Sequence, residues 1–148
     1  MLTKDKLLSF LQCVDGSFPV PLSKKQDLSA FADKLMQSAT VCYVEENDRI
    51  CSAVAGYTEN VIENKAYISI VATIPGEQGR GHAPRMIKEF ISIAKDRGLD
   101  AVHLYTVQTN NAAVKMYTKL GFVKWIKEDE TRPDDLHLIY YIKKEDEI

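Results

Sequence analysis

The sequence predicts one α/β domain, of α+β type, in which helices cover both faces of a mixed central sheet. Two observations support this fold class. Helix-like and strand-like segments follow one another in the order α-α-β-β-β-α-β-α-β-β, which is typical of a layered domain. The 148 residues suffice for one buried core and leave little room for a second. The sequence contains no internal repeat and no linker. We therefore treat residues 1–148 as a single domain, with a helical part at 1–39 and a sheet core at 40–143.

The first 39 residues are predicted to form two helices around a proline-rich loop at 15–21. Ser23, followed three residues later by Gln26, has the pattern of a capping box and predicts the start of the second helix. Apolar residues recur at helical spacing in both segments: Leu7, Leu8, Phe10, Leu11 and Val14 in the first, and Leu28, Phe31, Ala32, Leu35 and Met36 in the second.

The rest of the chain is predicted to contain six strands and two helices. Asn47 and Asp48 between the first two strands are typical of a hairpin turn. Gly121 is expected to end the last helix. The predicted strands are 40–46, 50–59, 66–74, 101–107, 122–128 and 136–142, and the helices are 84–97 and 110–120. Residues 143–148 are charged and are expected to fray.

Charge and cysteine content narrow the expected partners. The formal net charge of −2 gives no basic field to recruit nucleic acid or anionic lipid, so we expect neither partner. No apolar run approaches a membrane span and the N-terminus lacks the apolar core of a signal peptide, so we expect a cytoplasmic protein. Cys13, Cys42 and Cys51 have no metal-ligand spacing, and we predict no metal site.

Residues 78–83 form a glycine-bearing turn between a strand-like and a helix-like segment. Glycine lets the backbone approach an anion closely, and the following helix adds the positive end of its dipole. The turn therefore fits a pyrophosphate-binding loop, although the pattern alone fits a simple capping turn equally well. Pro84 removes one N–H donor, but at the first helical turn that N–H has no intrahelical partner anyway.

Two motifs together resemble the GNAT superfamily of N-acetyltransferases. Gln78, Gly81 and Ala83 match the Q/R-x-x-G-x-G/A turn that holds the pyrophosphate of acetyl-coenzyme A in that family. The pattern N-x-x-A-x-x-x-Y-x-x-x-G-F falls on Asn110, Ala113, Tyr117, Gly121 and Phe122. The resemblance covers roughly residues 40–143. It implies a mostly antiparallel sheet with one parallel, splayed strand pair, acetyl-CoA as cosubstrate and no metal. The short first strand of the family has no convincing counterpart, unless 18–20 serves.

The resemblance also assigns roles to individual residues. Backbone groups of Val71, Ala72 and Thr73 would hold the pantetheine arm, and one N–H there would stabilise the oxyanion. Tyr117 matches the family tyrosine that protonates the leaving thiolate, although a core position is the alternative. The remaining cofactor contacts would come from Gln78, Gly79, Arg80, Gly81, His82, Ala83, Asn110 and Ala113. For Arg80 a solvated loop position is equally compatible, and for His82 an exposed loop position is favoured.

The general base is not identified by the sequence. Tyr67 stands where several relatives carry a glutamate. Simple alternation would place Tyr67, Ser69, Val71 and Thr73 on one face, so Tyr67 and Ser69 could relay the acceptor's proton through water. Glu59 and Glu63 in the preceding turn are further candidates.

The acceptor is expected to be a small-molecule amine or a peptide amine, and a homodimer is possible. Five acidic residues around the last hairpin would suit a cationic amine, although a solvated loop is the favoured interpretation: Glu128, Asp129, Glu130, Asp134 and Asp135. The alternative function is a catalytically silent acyl-CoA-binding or sensing module. A dinucleotide-binding or P-loop protein is a distant third alternative. The turn lacks the third glycine of the dinucleotide-binding motif G-x-G-x-x-G, and no Gly-Lys-Ser/Thr sequence of a P-loop follows it.

Overall fold

The computed structural model describes residues 1–143, and the rest of the charged C-terminal segment lies outside the described residues. The helices are α1 (Lys4–Val14), α2 (Leu28–Ser38), α3 (His82–Asp96) and α4 (Asn111–Leu120), and short 3-10 turns lie at Asp15–Ser17 and Leu22–Lys24. The strands are β1 (Thr40–Glu46), β2 (Arg49–Tyr57), β3 (Lys65–Thr73), β4 (Ala101–Thr106), β5 (Val123–Lys124) and β6 (Leu136–Tyr141).

Six strands form one sheet in the order β1-β2-β3-β4-β6-β5. Among the described residues, β3 and β4 run parallel, and the other four neighbouring pairs are antiparallel. A parallel pair needs a crossover connection, and α3 provides it. The predicted fold class, a mostly antiparallel mixed sheet with one parallel pair, is confirmed.

Helices pack on both faces of this sheet, as predicted. On one face, α3 and α4 enclose a core around Phe90, Val102 and Leu104. On the other face, α1 and α2 enclose a second core around Leu11, Leu35 and Ala53. Within residues 1–143, the helices fall short of the combined length and apolar character that a bilayer span requires.

The start of α2 differs from the prediction. Asp27 is the N-cap, and its side chain accepts a hydrogen bond from the backbone N–H of Ala30 at 3.0 Å. The predicted capping box of Ser23 and Gln26 is wrong, because the Ser23 hydroxyl and N–H both donate to the carboxylate of Asp15, at 2.6 and 2.8 Å. This contact ties the two 3-10 turns together and delays the helix by one turn.

Two predicted strands also differ. The strand expected at 122–128 is limited to Val123–Lys124, with one further hydrogen bond from the Trp125 N–H to the carbonyl of His137, and the chain then forms a loop that returns at β6. No strand precedes Thr40 in the described part of the chain, so 18–20 does not replace the missing first strand. By contrast, Asn47 and Asp48 adopt φ of 53° and 62°, which confirms the predicted hairpin.

Candidate active site

A cleft of about 730 Å³ opens where β3 and β4 separate. The two strands pair only between Lys65–Tyr67 and Ala101–His103, so the following residues of β3 have no partner on β4. Residues from both faces of the sheet line the gap, including Met116 of α4 on one face and Phe31 of α2 on the other. The cleft therefore extends through the gap between the strands from one face of the sheet to the other.

The predicted glycine turn borders this cleft. Gly79 and Gly81 have φ of 80° and 79°, a backbone conformation that residues other than glycine rarely adopt. Gly81 is also the N-cap of α3. A Cβ built on either glycine would meet nothing within 4 Å, so the space before the turn is open. The Gln78 amide donates to the carbonyl of Thr73 at 3.5 Å and so links the turn to the end of β3. These features fit a pyrophosphate group held by backbone N–H donors at a helix start.

The two charged candidates of the turn differ from each other. Arg80 is exposed and forms ion pairs with Glu77 and, at 3.6 Å, with Glu46. His82 is not the exposed loop histidine that was favoured: it is the first residue of α3 and only 7% exposed. Its Nδ1 lies 3.3 Å from the Arg85 guanidinium, and its buried Nε2 has no hydrogen-bond partner among the described residues.

The second motif builds α4. The Asn110 side chain accepts a hydrogen bond from the Ala113 N–H at 3.3 Å and caps the helix. Gly121 ends it with φ of 109°. Tyr117 is 6% exposed, contacts Phe122 edge-on, and also lines the cleft. Burial raises the pKa of Tyr117, which keeps its hydroxyl protonated at neutral pH.

The predicted alternation along β3 is wrong. Ala55 and Gly56 on β2 face Ile70 and Ile68, so Ser69 is an extra residue, a β-bulge. The bulge changes which face each later side chain occupies. Ile68, before the bulge, packs towards α3 and α4, and so does Val71 after it. Ile70 and Ala72 pack towards α1 and α2. Simple alternation would have placed Ile68 and Ile70 together.

Tyr67 and Ser69 both line the cleft. Tyr67 packs against His103 and Tyr105 of β4, and burial raises its pKa although nearby Arg132 opposes the shift. The alternative bases do not line this cleft. Glu59 pairs with Arg97 at 2.5 Å, and Glu63 lies in an exposed turn 3.6 Å from the Lys65 ammonium.

A hydrogen-bonded chain on the same face as Tyr67 was missed by the sequence analysis. His103 Nδ1 lies 2.8 Å from His137 Nε2, and His137 Nδ1 lies 2.7 Å from Glu130 Oε2. Tyr105, which lines the cleft, donates its hydroxyl proton to Glu130. Burial alone would raise the pKa of Glu130, but hydrogen bonds from Tyr105, His137 and a backbone N–H lower it to about 2. Burial, reinforced by His137, lowers the pKa of His103 to about 4.

This network of hydrogen bonds also revises the interpretation of the acidic residues around the last hairpin. Glu128, Asp129 and Asp134 are exposed, as a solvated loop predicts. Glu130 is only 15% exposed and is held by His137, and Asp135 pairs with Arg132 at 2.5 Å. No local signal could have singled out Glu130, since the two side chains that bind it, those of His137 and Tyr105, lie 7 and 25 residues away in the chain.

Comparisons with known proteins agree with the architecture. The model of the acetyltransferase (GNAT) family matches residues 7–122. A 58-residue segment is 38% identical to mycothiol acetyltransferase of Streptosporangium roseum, and this match covers 39% of the chain and 17% of that relative. The chain therefore aligns with less than a fifth of the length of that relative.

Two solved structures share the fold at low sequence identity. A GNAT-family acetyltransferase from Staphylococcus aureus Mu50 superposes with a TM-score of 0.75 at 14% identity, over 95% of this chain and 93% of that one. The PaiA N-acetyltransferase of Thermoplasma acidophilum, solved in complex with coenzyme A, gives a TM-score of 0.72 at 13% identity, over 95% of each chain.

Proposed function

The chain belongs to the acetyltransferase (GNAT) family, and on that premise we propose that it transfers the acetyl group of acetyl-CoA to a primary amine by direct attack. The observation that carries this proposal is the cleft between β3 and β4, which has the glycine turn at its edge and is open to both faces of the sheet. Acetyl-CoA supplies the activated acetyl group. The amine enters from the opposite face, so the two reactants meet in the gap.

The chain's own groups suit the cosubstrate. Backbone N–H groups of 79–83, with the N-terminus of α3, hold the pyrophosphate, and Asn110 and Ala113 start the helix that carries Tyr117. Arg80 of the turn is exposed, but its guanidinium pairs with Glu77 and Glu46, so the backbone N–H groups carry most of the binding. Because β3 has no partner on β4 after Tyr67, backbone groups of Val71, Ala72 and Thr73 that face the gap bind the pantetheine arm and stabilise the oxyanion.

Tyr117 is proposed to donate a proton to the leaving thiolate. Its hydroxyl is protonated in the resting protein because burial raises its pKa. The same low-dielectric cleft also makes the unsolvated thiolate more basic, which offsets the weaker acidity of the phenol. Tyr117 therefore acts as a hydrogen-bond donor that completes its proton transfer only as the thiolate forms.

Direct attack is favoured over transfer through a cysteine. Neither Cys42 nor Cys51 lines the cleft, and burial raises the pKa of Cys42 to about 12. Cys13 is exposed on α1, also away from the cleft. A thiol must ionise and reach the acetyl group to act as nucleophile, and the cysteines of this chain lack that access.

The amine is proposed to lose its proton to water held by the hydroxyls of Tyr67, Ser69 and Tyr105 at the cleft wall. Tyr105 joins this water to the carboxylate of Glu130, which stays ionised down to a low pH. The acceptor side is walled by 17–20 and by Arg132, which lies over the Tyr105 ring at 4.5 Å.

A screen of amine acceptors with release of free thiol as the readout tests the proposal. Polyamines, amino sugars, aminoglycosides, amino acids and peptide N-termini cover the main amine classes. We expect at least one class to give thiol release that requires both the protein and the amine. Failure of coenzyme A to stabilise the protein against heat, together with no release for any class, would contradict the proposed function.

A further inference from the structure

We propose that Glu46, Cys51 and His82 form a binding site for a transition-metal ion, best suited to Zn²⁺, behind the glycine turn. The three residues come from β1, β2 and the first turn of α3. One ligand atom of each, a carboxylate oxygen, the Sγ and an imidazole nitrogen, lies within 4.8 Å of the others. Because the three are far apart in the chain, no sequence spacing indicates this site.

A fourth ligand is within reach. The Glu77 carboxylate lies 3.9 Å from His82 Nε2 and would complete the set by turning away from Arg80. Sulfur, imidazole nitrogen and two carboxylate oxygens form a set that Zn²⁺ accepts in tetrahedral geometry. Ligand atoms at zinc distances of about 2.0–2.3 Å lie about 3.5 Å apart, so the side chains must close by roughly 1 Å.

His82 Nε2 gives independent evidence for a ligand. This nitrogen is buried, and no hydrogen-bond partner reaches it among the described residues. Buried polar atoms without a partner are rare in proteins because each loses its hydration without compensation. A metal ion among His82, Cys51 and Glu46 would satisfy the nitrogen, and Glu77 at 3.9 Å is too distant to do so.

The charges of the site suit exchange of a guanidinium for a metal ion. Arg80 now pairs with both carboxylates, through an ion pair with Glu77 and a 3.6 Å contact with Glu46, and leaves one negative charge uncompensated. Zn²⁺ would displace Arg80 towards solvent, where this half-exposed side chain already reaches. The Glu46 side chain is 38% exposed and gives the ion a path of entry, while Cys51 and His82 are buried behind it.

Binding changes one protonation state. Cys51 is a thiol in the free protein, because burial and the neighbouring carboxylates raise its pKa. Zn²⁺ takes the place of the thiol proton, a Zn–S bond forms, and the proton goes to solvent, so affinity must rise with pH. The proposed acetyl transfer uses backbone N–H groups of 79–83 and not the side chains of Glu46, Cys51 and His82, so metal binding and thiol release can be measured separately.

Titration of the metal-free protein with Co²⁺, followed by Zn²⁺, tests the site in a Cys13→Ser background that removes the exposed thiol. Tetrahedral Co²⁺ bound to a thiolate gives visible bands and a sulfur-to-metal charge-transfer band, and we expect both at one equivalent. Zn²⁺ should abolish both bands and raise the melting temperature. Cys42→Ser is the matched control, because Cys42 is also buried in the same sheet but does not belong to the cluster.

We expect Cys51→Ser to lose the charge-transfer band, and Glu46→Gln, a change at a partly exposed position, to weaken Zn²⁺ binding by about tenfold or more. Glu46→Gln keeps the test valid if Cys51→Ser does not fold. No charge-transfer band in the background protein, an equal band in Cys51→Ser, or unchanged Zn²⁺ affinity in Glu46→Gln would overturn the proposal.

Discussion

Glu130 Oε2 lies 2.7 Å from Nδ1 of His137, and this contact anchors one end of the hydrogen-bonded chain that leads to His103. An ionised carboxylate can only accept, so His137 Nδ1 carries a proton and donates a hydrogen bond to Glu130. His103 Nδ1 lies 2.8 Å from His137 Nε2, so one of the two rings donates a hydrogen bond to the other. The network therefore fixes the orientation of both rings, and His103 is neutral at pH 7 because burial, reinforced by His137, lowers its pKa to about 4.

The first prediction concerns the pH dependence of stability. His103 has an ordinary pKa of 6.5 and a folded-state pKa of about 4, so the unfolded chain binds its proton first. Its contribution to stability is therefore complete above pH 6.5 and is lost as the pH falls from 6.5 to 4. Urea unfolding of the wild type and of His103→Gln should show free energies of unfolding that converge over this range.

Glu130 contributes to stability over a lower pH range, which the same unfolding experiment covers. Its folded-state pKa of about 2 lies below its ordinary value of 4.5, so its contribution falls between pH 4.5 and 2. Glu130→Gln should remove this loss of stability between pH 4.5 and 2. Glu128→Gln, a change at an exposed neighbouring residue, should retain it. A difference between wild type and His103→Gln that stays constant from pH 7 to 4 would contradict the chain of hydrogen bonds described above.

The second prediction tests the glycine turn. Gly81→Val forces a β-branched residue into φ of 79° and fills the open space before the turn, so the backbone can no longer approach a pyrophosphate. Coenzyme A should raise the melting temperature of the variant far less than that of the wild type. Gly98→Val is the matched control, since Gly98 has φ of 77° and open space around it but lies at the other end of α3. Equal shifts in both variants would refute the role of the turn.

The third prediction concerns Tyr117. Tyr117→Phe keeps the ring that packs against Phe122 and removes only the hydroxyl. Turnover should fall by about 10²–10⁴-fold if proton delivery to the thiolate limits the rate, while coenzyme A affinity stays the same. Steady-state rates and thermal shifts of this variant, with Tyr43→Phe on β1 as the control, measure both quantities. Unaltered turnover would assign Tyr117 to the core alone.

The sequence was sufficient where a feature depends on neighbouring residues. Three predicted features follow from residues within one turn: the glycine-bearing turn at 78–83, the hairpin at Asn47 and Asp48, and the end of α4 at Gly121. The fold class followed from the order of such local elements together with the family motifs. These features could be predicted because the conformational preferences that cause them are local.

Competition between distant residues explains what could not be predicted. Ser23 has the pattern of a cap, but the Asp15 carboxylate binds it instead. The bulge at Ser69 depends on the register between β2 and β3, and it reverses the faces of the residues after it. Glu130 is bound by Tyr105 of β4 and His137 of β6. The sequence predicts both strands along the chain but not which of their residues lie side by side.

The final prediction concerns the acceptor's proton. An alkyl amine with a pKa of about 10.4 is almost wholly protonated at pH 7, yet β3 carries no carboxylate between Lys65 and Thr73. Water held by several hydroxyls can re-form when one link is lost, whereas loss of a dedicated base costs orders of magnitude. Once an acceptor is known, turnover should fall by no more than about tenfold in each of four variants: Glu59→Gln, Glu63→Gln, Tyr67→Phe and Ser69→Ala.

The two glutamate variants decide between the routes. Glu59 is paired with Arg97 and Glu63 lies in an exposed turn, both outside the cleft, so their loss should leave the reacting amine unaffected. The hydroxyl variants instead alter residues of the cleft wall and should shift the acidic limb of the pH profile more than the rate at its plateau. A collapse of turnover in Glu59→Gln or Glu63→Gln, with coenzyme A binding intact, would mean that a carboxylate from this turn reaches the amine and that the water route is wrong.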